Sequence, residues 1–341
     1  MGATVGTQAI QFGFDTDAVW DRIRGRRSVF LDSNGWIDLA DGKKETPVRV
    51  RESLRAQVAA GRVFCPLSWG TVEELLDQSG PSLPRTAALM EELSLNAVFL
   101  QREELFAWEL TRAMRRFFGG QPEDSLNGLF VPPAAFVGSA LGISIELPDG
   151  VSIGHEAQAH ARAFMKRELS SIGIASLAQD LGGSKMARSS PAYSMAAKRA
   201  KELFKGNKAK LFVEEAGDCF RLYVTPVLMR CPPDVMMAWL AQFSGAGEEP
   251  WFRRVLAELP ALYNHVDVMV VASSQPDRKD RPNHFMDNAI MTAPLAYADV
   301  FVSADRAVKD IAGSRTRILD RSSCRYCASL AELETWLGTI S

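Results

Sequence analysis

Short hydrophobic runs that end in a polar turn recur near both ends of the chain. Residues 28–31 read Ser-Val-Phe-Leu and stop at Asp32, and residues 300–302 read Val-Phe-Val and stop at Ser303. Residues 62–67 form a third run, which leads into a helical pattern. Such runs, without polar alternation, are typical of parallel strands buried on both faces. The pattern therefore predicts an α/β fold with a central, mostly parallel sheet.

The middle of the chain has a different, helical periodicity. Phe106, Leu110 and Met114 recur at helical spacing within residues 81–118. Glycine and proline then interrupt the pattern up to about Gly154, where Ile143 to Leu147 can form a short strand, and further helical patterns fill much of the remainder up to residue 270. These changes predict a discontinuous core and a mainly helical insertion, divided as follows: core at 26–80 and 262–320, insertion at 81–261, and a C-terminal helix at 321–341.

Acidic residues stand where the predicted strands and helices meet. Asp32 and Asp305 each follow a predicted strand, and the carboxyl ends of parallel strands lie at the edge where α/β proteins bind ligands. Glu73 and Glu74 lie on the helix predicted after the third run, from which either can face the same edge. Asp287 opens an amphipathic run, a position where a carboxylate suits a helix N-terminus. The sequence thus predicts an acidic cluster at this edge.

The order and flanks of these acids resemble the acidic quartet of the PIN and PIN-like nuclease family. The matching segments are FLDSNGWIDL with Asp32, PLSWGTVEELL with Glu74, MDNAIMTAPLAYA with Asp287 and DVFVSAD with Asp305. Glu74 is matched in preference to Glu73 because the family's early helix carries Glu followed by Leu. The resemblance implies a PIN-like, three-layer α/β/α fold, here with a large α-helical insertion.

The resemblance covers residues 26–80 and 262–315. It departs from the pattern of a compact family member because residues 81–261 separate the second acid from the third. The sequence gives no function for this insertion, which can act as a lid, a substrate channel or a surface for a protein partner.

Clustered carboxylates have a defined chemical use. They repel one another unless a cation neutralises them, and hard divalent ions such as Mg²⁺ or Mn²⁺ are their usual partners. Two ions at about 3.5–4 Å can activate a water and stabilise the leaving oxygen of a phosphodiester. The resemblance therefore implies a metal-dependent nuclease, with RNA as the expected substrate, and four residues that are both catalytic and metal ligands: Asp32, Glu74, Asp287 and Asp305.

Other polar residues near these motifs are expected to assist. Supporting roles around the ligands are assigned to Asn34, Glu73, Asp299 and Ser303. A polar loop leads directly into the Asp287 helix, and its cations are expected to contact substrate phosphates together with a nearby histidine: Arg278, Lys279, Arg281 and His284.

Composition limits the alternatives. The chain has 341 residues, 47% of them hydrophobic, which is enough for a substantial core. Its net charge of −2 argues against coating nucleic acid by bulk electrostatics, so nucleic-acid binding must depend on local clusters such as Arg112, Arg115 and Arg116. No apolar run reaches the length of about 18 residues that a membrane helix needs, and residues 1–14 do not read as a signal peptide. We therefore expect a cytoplasmic protein without a membrane partner.

Two other functions compete with the nuclease. Asp32 with Asp305 and Asp310 can be read as a phosphatase of the haloacid dehalogenase type, but that family expects Asp where Asn34 stands and Thr or Val where Trp36 stands. This reading also leaves two of the four acids without a role. The second alternative is a catalytically silent PIN-like scaffold that binds nucleic acid or protein through the insertion.

Overall fold

The computed structural model describes nine stretches of the chain: residues 9–12, 14–119, 126–137, 143–146, 154–182, 207–245, 247–273, 291–311 and 318–340. The strands, in chain order, are β1 Ala9–Phe12, β2 Arg27–Leu31, β3 Val63–Phe64, β4 Val98–Phe99, β5 Phe130–Val131, β6 Ile143–Glu146, β7 Val300–Val302 and β8 Arg325–Cys327. Strands β3, β2, β7 and β8 form a parallel sheet in that order. The protein is therefore a mixed α/β structure with a central parallel sheet, as predicted, and many surrounding helices.

The register of β2 and β7 places their carboxyl ends side by side. Leu31 pairs with Val302, and the Asp32 N–H donates to the Val302 carbonyl at 3.2 Å. On the other side of β7, the Ser303 N–H donates to the Cys327 carbonyl at 3.1 Å. Asp32 and Ser303 therefore leave the sheet at the same edge, which is the arrangement that the two hydrophobic runs predict.

The hydrophobic runs are uninterrupted because both faces of these strands are covered. Val29, Phe30 and Leu31 have no exposed surface. The Phe30 ring packs against Phe301 at 5.4 Å between centroids and against Phe99 at 6.3 Å. Burial of such side chains stabilises a fold by about 1.5–3 kcal/mol each. The core thus fixes the strands whose ends carry the acidic residues.

Part of the segment predicted as an insertion adds to the edge of the sheet. Leu67 bridges to Val98 in the parallel sense, and the Phe99 N–H donates to the Leu67 carbonyl at 2.8 Å. Strand β4 then pairs with β5 in the antiparallel sense. The predicted helical run over residues 81–118 is therefore two helices separated by a short strand.

The C-terminal segment also contains more than the predicted helix. Strand β8 precedes the helix Leu330–Leu337 and forms the outer parallel neighbour of β7. The predicted short strand near residues 143–147 is confirmed as β6, which pairs with β1.

Helices make up most of the remaining described structure. Their bounds are Thr16–Ile23, Ser33–Asp41, Glu45–Ala59, Trp69–Leu76, Ser82–Ser94, Arg102–Phe117, His155–Ser171, Ile174–Leu181, Lys208–Cys219, Thr225–Leu228, Pro233–Ala241, Glu248–Ala257, Pro260–Ser273, Arg306–Asp310, Ile318–Arg321 and Leu330–Leu337, with residues 291–297 also helical. In the part of the chain that the structure describes, none of them is both long and apolar enough to cross a membrane.

Candidate functional site

Asp32 lies between the end of β2 and the helix Ser33–Asp41. Its Oδ1 accepts a hydrogen bond from the Gly35 N–H at 2.7 Å, so the side chain caps the N-terminus of this helix. A Cβ added at Gly35 would lie 3.2 Å from this oxygen, which is a crowded contact. The Asp-Ser-Asn-Gly turn thus has a capping residue at its start and a small residue where the carboxylate needs space.

Ser303 links Asp32 to Asp305. The Ser303 Oγ donates to Asp32 Oδ2 at 2.6 Å and accepts from the Asp305 N–H at 3.2 Å. Ser303 is buried, whereas Asp305 is exposed. Ser303, for which a supporting role is predicted, thus contacts both Asp32 and the backbone of Asp305, and one hydroxyl connects the two strand ends.

The electrostatic environment of Asp32 opposes its negative charge. Burial is the largest cause that raises the pKa of Asp32, and the nearby charges of Asp305 and Asp38 raise it further. Hydrogen bonds from Ser303 and Gly35 lower the pKa and partly offset these effects. A group of like charges around a half-buried carboxylate is the setting in which a bound cation stabilises the ionised form.

Tyr326 is a site residue that the sequence did not indicate. It lies on β8, and its O–H donates to the Ser303 carbonyl at 2.7 Å. Burial raises the pKa of its phenol, and the charges of Asp32 and Asp305 raise it further. The three-residue strand β8 has no hydrophobic pattern of its own, so the residue's position became apparent only from the sheet.

Glu73 and Glu74 lie on the helix Trp69–Leu76 and are half-buried. Ser68 caps this helix by accepting the Thr71 N–H at 3.1 Å. Among the residues that the structure describes, no three His, Cys, Asp or Glu side chains form a group that could hold a metal ion. Glu74 as placed therefore does not complete a three-carboxylate group with Asp32 and Asp305.

The two remaining supporting residues lie in different places. Asn34 is exposed in the first turn of the helix Ser33–Asp41, beside the acidic edge. Asp299 instead precedes β7, where its Oδ2 accepts from the Ser28 N–H at 2.7 Å and from the Ser28 Oγ at 2.9 Å. The supporting role predicted for Asp299 does not fit this position, because Asp299 holds the opposite end of the two strands together.

One predicted ligand and the predicted phosphate contacts lie outside the described residues. These are Asp287, Arg278, Lys279, Arg281 and His284. The described part of the site therefore consists of Asp32 and Asp305, the Ser303 hydroxyl between them, and Tyr326.

Comparisons with known proteins identify no relative of this chain. Protein-family models, curated proteins and solved structures were searched, and none of them matches the chain. The resemblance to PIN-like nucleases accordingly rests on the four acidic motifs.

Proposed function

We propose that this chain is a metal-dependent nuclease that hydrolyses phosphodiester bonds in RNA, on a three-layer, PIN-like α/β/α fold. The observation that carries the proposal is the hydrogen-bonded link from Asp32 through Ser303 to the backbone of Asp305. It joins two acids at the carboxyl ends of adjacent parallel strands, the edge where open α/β sheets bind ligands.

The chemistry of this pair suits a hard divalent cation. Mg²⁺ keeps several waters and typically binds through one or two carboxylates together with substrate phosphates. Asp32 retains acceptor capacity for an ion, since a carboxylate has about four lone-pair sites and this one accepts a hydrogen bond from Gly35 and one from Ser303. The burial and like charges that raise the pKa of Asp32 would be offset by such an ion.

Each residue then has a distinct role. Asp32 and Asp305 would hold Mg²⁺ or Mn²⁺. The resemblance adds Asp287 and Glu74 as further ligands, and Glu74 would have to approach the two acids from its present position. Ser303 fixes the orientation of Asp32, while cations before Asp287 bind substrate phosphates. When bound, the ion would lower the pKa of a water and stabilise the leaving oxygen of the phosphodiester.

A catalytically silent scaffold is the second candidate, and one observation favours it. Within the described residues, no group of three potential ligands is placed to hold an ion. In that case the Asp32 contacts would serve only to cap a helix and to join two strands.

Cleavage assays separate these candidates. The full chain is incubated with labelled unstructured RNA or single-stranded DNA in Mg²⁺ or Mn²⁺, with a chelator control, beside Asp32→Asn and Asp305→Asn. The matched control is Asp21→Asn, which makes the same charge change at an exposed residue paired with Arg24.

We expect RNA cleavage that requires the ion and that falls by at least about 100-fold in both site variants but persists in the control variant. A folded parent that binds RNA without cutting it would support the scaffold. Hydrolysis of a generic phosphate monoester, without cleavage of either polymer, would instead support the phosphatase.

A further inference from the structure

We infer that Tyr326 is a positioning residue for the Asp32–Asp305 site, an inference that rests on the proposed nuclease function. Tyr326 pairs in register with Phe301 on the neighbouring strand β7. Its phenol extends beyond this pair, along the direction of the strands, and donates to the Ser303 carbonyl at 2.7 Å. The Tyr326 hydroxyl therefore contacts Ser303, the residue whose own hydroxyl links Asp32 to the backbone of Asp305.

The contact completes the hydrogen bonding of Ser303. The Ser303 N–H donates to the Cys327 carbonyl, and the Ser303 carbonyl accepts from Tyr326. The Oγ donates to the Asp32 carboxylate and accepts from the Asp305 N–H. The backbone of Ser303 is thus fixed from β8 through both its amide and its carbonyl. Since the next two residues, Ala304 and Asp305, are exposed, these bonds restrain a turn that has little packing around it.

The phenol suits this role because it remains protonated. The pKa of Tyr326 is raised above its ordinary value of 10.0, by burial first and then by Asp32, Asp305 and Glu332. The hydroxyl can therefore donate across the neutral pH range without adding a further negative charge to the site.

A simple packing role is the competing explanation. The Tyr326 ring contacts Phe301 edge-to-face, with centroids 5.9 Å apart. Tyr326→Phe separates the two explanations because it retains the ring and removes only the hydroxyl. As a control, Tyr263→Phe removes a hydroxyl that accepts from Arg253 at 3.1 Å, a contact that involves none of the residues of the acidic edge.

The experiment uses the full chain and two measurements. Calorimetric titration with Mn²⁺ is expected to give about tenfold weaker affinity for Tyr326→Phe than for the parent and for Tyr263→Phe, the range typical of residues that orient metal ligands. In the metal-free protein, hydrogen exchange of the Asp305 amide is expected to be faster in Tyr326→Phe, while the melting temperature changes little.

The outcomes distinguish this inference from the proposed function. If parent and Tyr326→Phe bind Mn²⁺ equally and exchange at equal rates, Tyr326 does not position the site, although the metal site stands. If the parent binds no Mn²⁺, the proposed function fails, and the role of Tyr326 at a metal site fails with it.

Discussion

At the scale of single residues, Asp32 combines a structural contact with an unfavourable charge. Its carboxylate caps a helix through Gly35 and accepts from Ser303, yet burial and nearby acids raise its pKa. Residues whose charge opposes folding are expected at functional sites, where activity is retained at a cost in stability. The effect of its charge can be tested separately from that of its hydrogen bonds.

We predict that Asp32→Asn stabilises the metal-free protein at pH 7. Asparagine retains an acceptor for the Gly35 N–H but loses the charge, so the melting temperature should rise by about 1–3 °C. Because the pKa in the folded state exceeds the ordinary value of 3.8, the penalty is absent below that value and develops as the pH rises.

The measurement is calorimetry of parent and variant at pH 7 and pH 4. The gain should be smaller at pH 4, which lies close to the ordinary pKa of 3.8, because the carboxyl is then partly protonated. A variant that is destabilised equally at both pH values would show that the hydrogen bonds of Asp32, and not its charge, determine its effect.

We predict that Asp299→Ala destabilises the protein without affecting the metal response. The variant loses the two contacts to Ser28, at a cost of about 1–3 kcal/mol in the free energy of unfolding. Urea unfolding measures this loss, and melting with and without Mn²⁺ measures the response of the site. Loss of the Mn²⁺ response in a folded Asp299→Ala protein would contradict its assignment to the opposite end of the strands.

These residues show what the sequence could predict about the site. Asp32, Ser303 and the turn to Asp305 follow strong hydrophobic runs, so their shared edge could be inferred from strand direction alone. Asp299 is also close to the motif in sequence, but it precedes the strand, and the length of β7 separates it from the acids. Tyr326 contributes a hydrogen bond to Ser303 at the end of the neighbouring strand, and no local sequence pattern predicts such a contact.

At the scale of elements, Glu109 connects the predicted insertion to the chain segments that lead to β7. It lies on the helix Arg102–Phe117 and is 2% exposed. Its carboxylate accepts from the Ala261 N–H at 2.6 Å, from the Leu262 N–H at 3.1 Å and from the Tyr297 O–H. Glu109 thus caps the helix Pro260–Ser273 from another element, a contact between residues far apart in sequence.

We predict a pH dependence of stability that originates at Glu109. Burial raises the pKa of Glu109 to about 7. The hydrogen bonds from Tyr297 and the two amides, and the charge of Arg112, lower the pKa but do not outweigh burial. Since the folded state holds the proton more tightly, the free energy of unfolding should fall as the pH rises from about 4.5 to about 7. The pKa shift corresponds to a decrease of about 3 kcal/mol in the free energy of unfolding.

The measurement is urea unfolding of the parent and Glu109→Gln between pH 4.5 and pH 8. As the pH rises across this window, the unfolding free energy of the parent should fall relative to that of Glu109→Gln, so that the comparison favours the variant at high pH. A constant difference would show that Glu109 has an ordinary pKa in the folded protein.

The elements also differ in how well the sequence predicts them. Strands β2 and β7 are buried on both faces and have uninterrupted hydrophobic runs. Strands β4 and β5 have two residues each, too few for a pattern, and β4 lies between two helices whose periodicity dominates the segment. Sequence periodicity therefore could not predict that residues 98–99 and 130–131 attach to the edge of the sheet.

At the scale of the whole molecule, the proposed metal ion would link distant parts of the chain. Asp32 and Asp305 belong to segments near opposite ends of the sequence that adjacent strands bring together. A ligand that binds only the folded state stabilises it by about 2.7 kcal/mol at a concentration 100 times its Kd. Metal binding at this edge should therefore be visible in the stability of the full chain.

We predict that Mn²⁺ raises the melting temperature of the parent and of Asp21→Asn by several degrees but leaves Asp305→Asn almost unchanged. Mg²⁺ should act in the same direction, and a chelator should reverse both effects. An equal rise in Asp305→Asn would show that the ion binds elsewhere on the chain.

The most direct test of the central claim is the rate of RNA cleavage by the full chain in Mn²⁺, compared with Asp305→Asn. We predict cleavage by the parent that the chelator abolishes and that the substitution reduces by at least about 100-fold. Cleavage at an unchanged rate in Asp305→Asn, or a folded parent that binds Mn²⁺ and RNA without cutting, would contradict it.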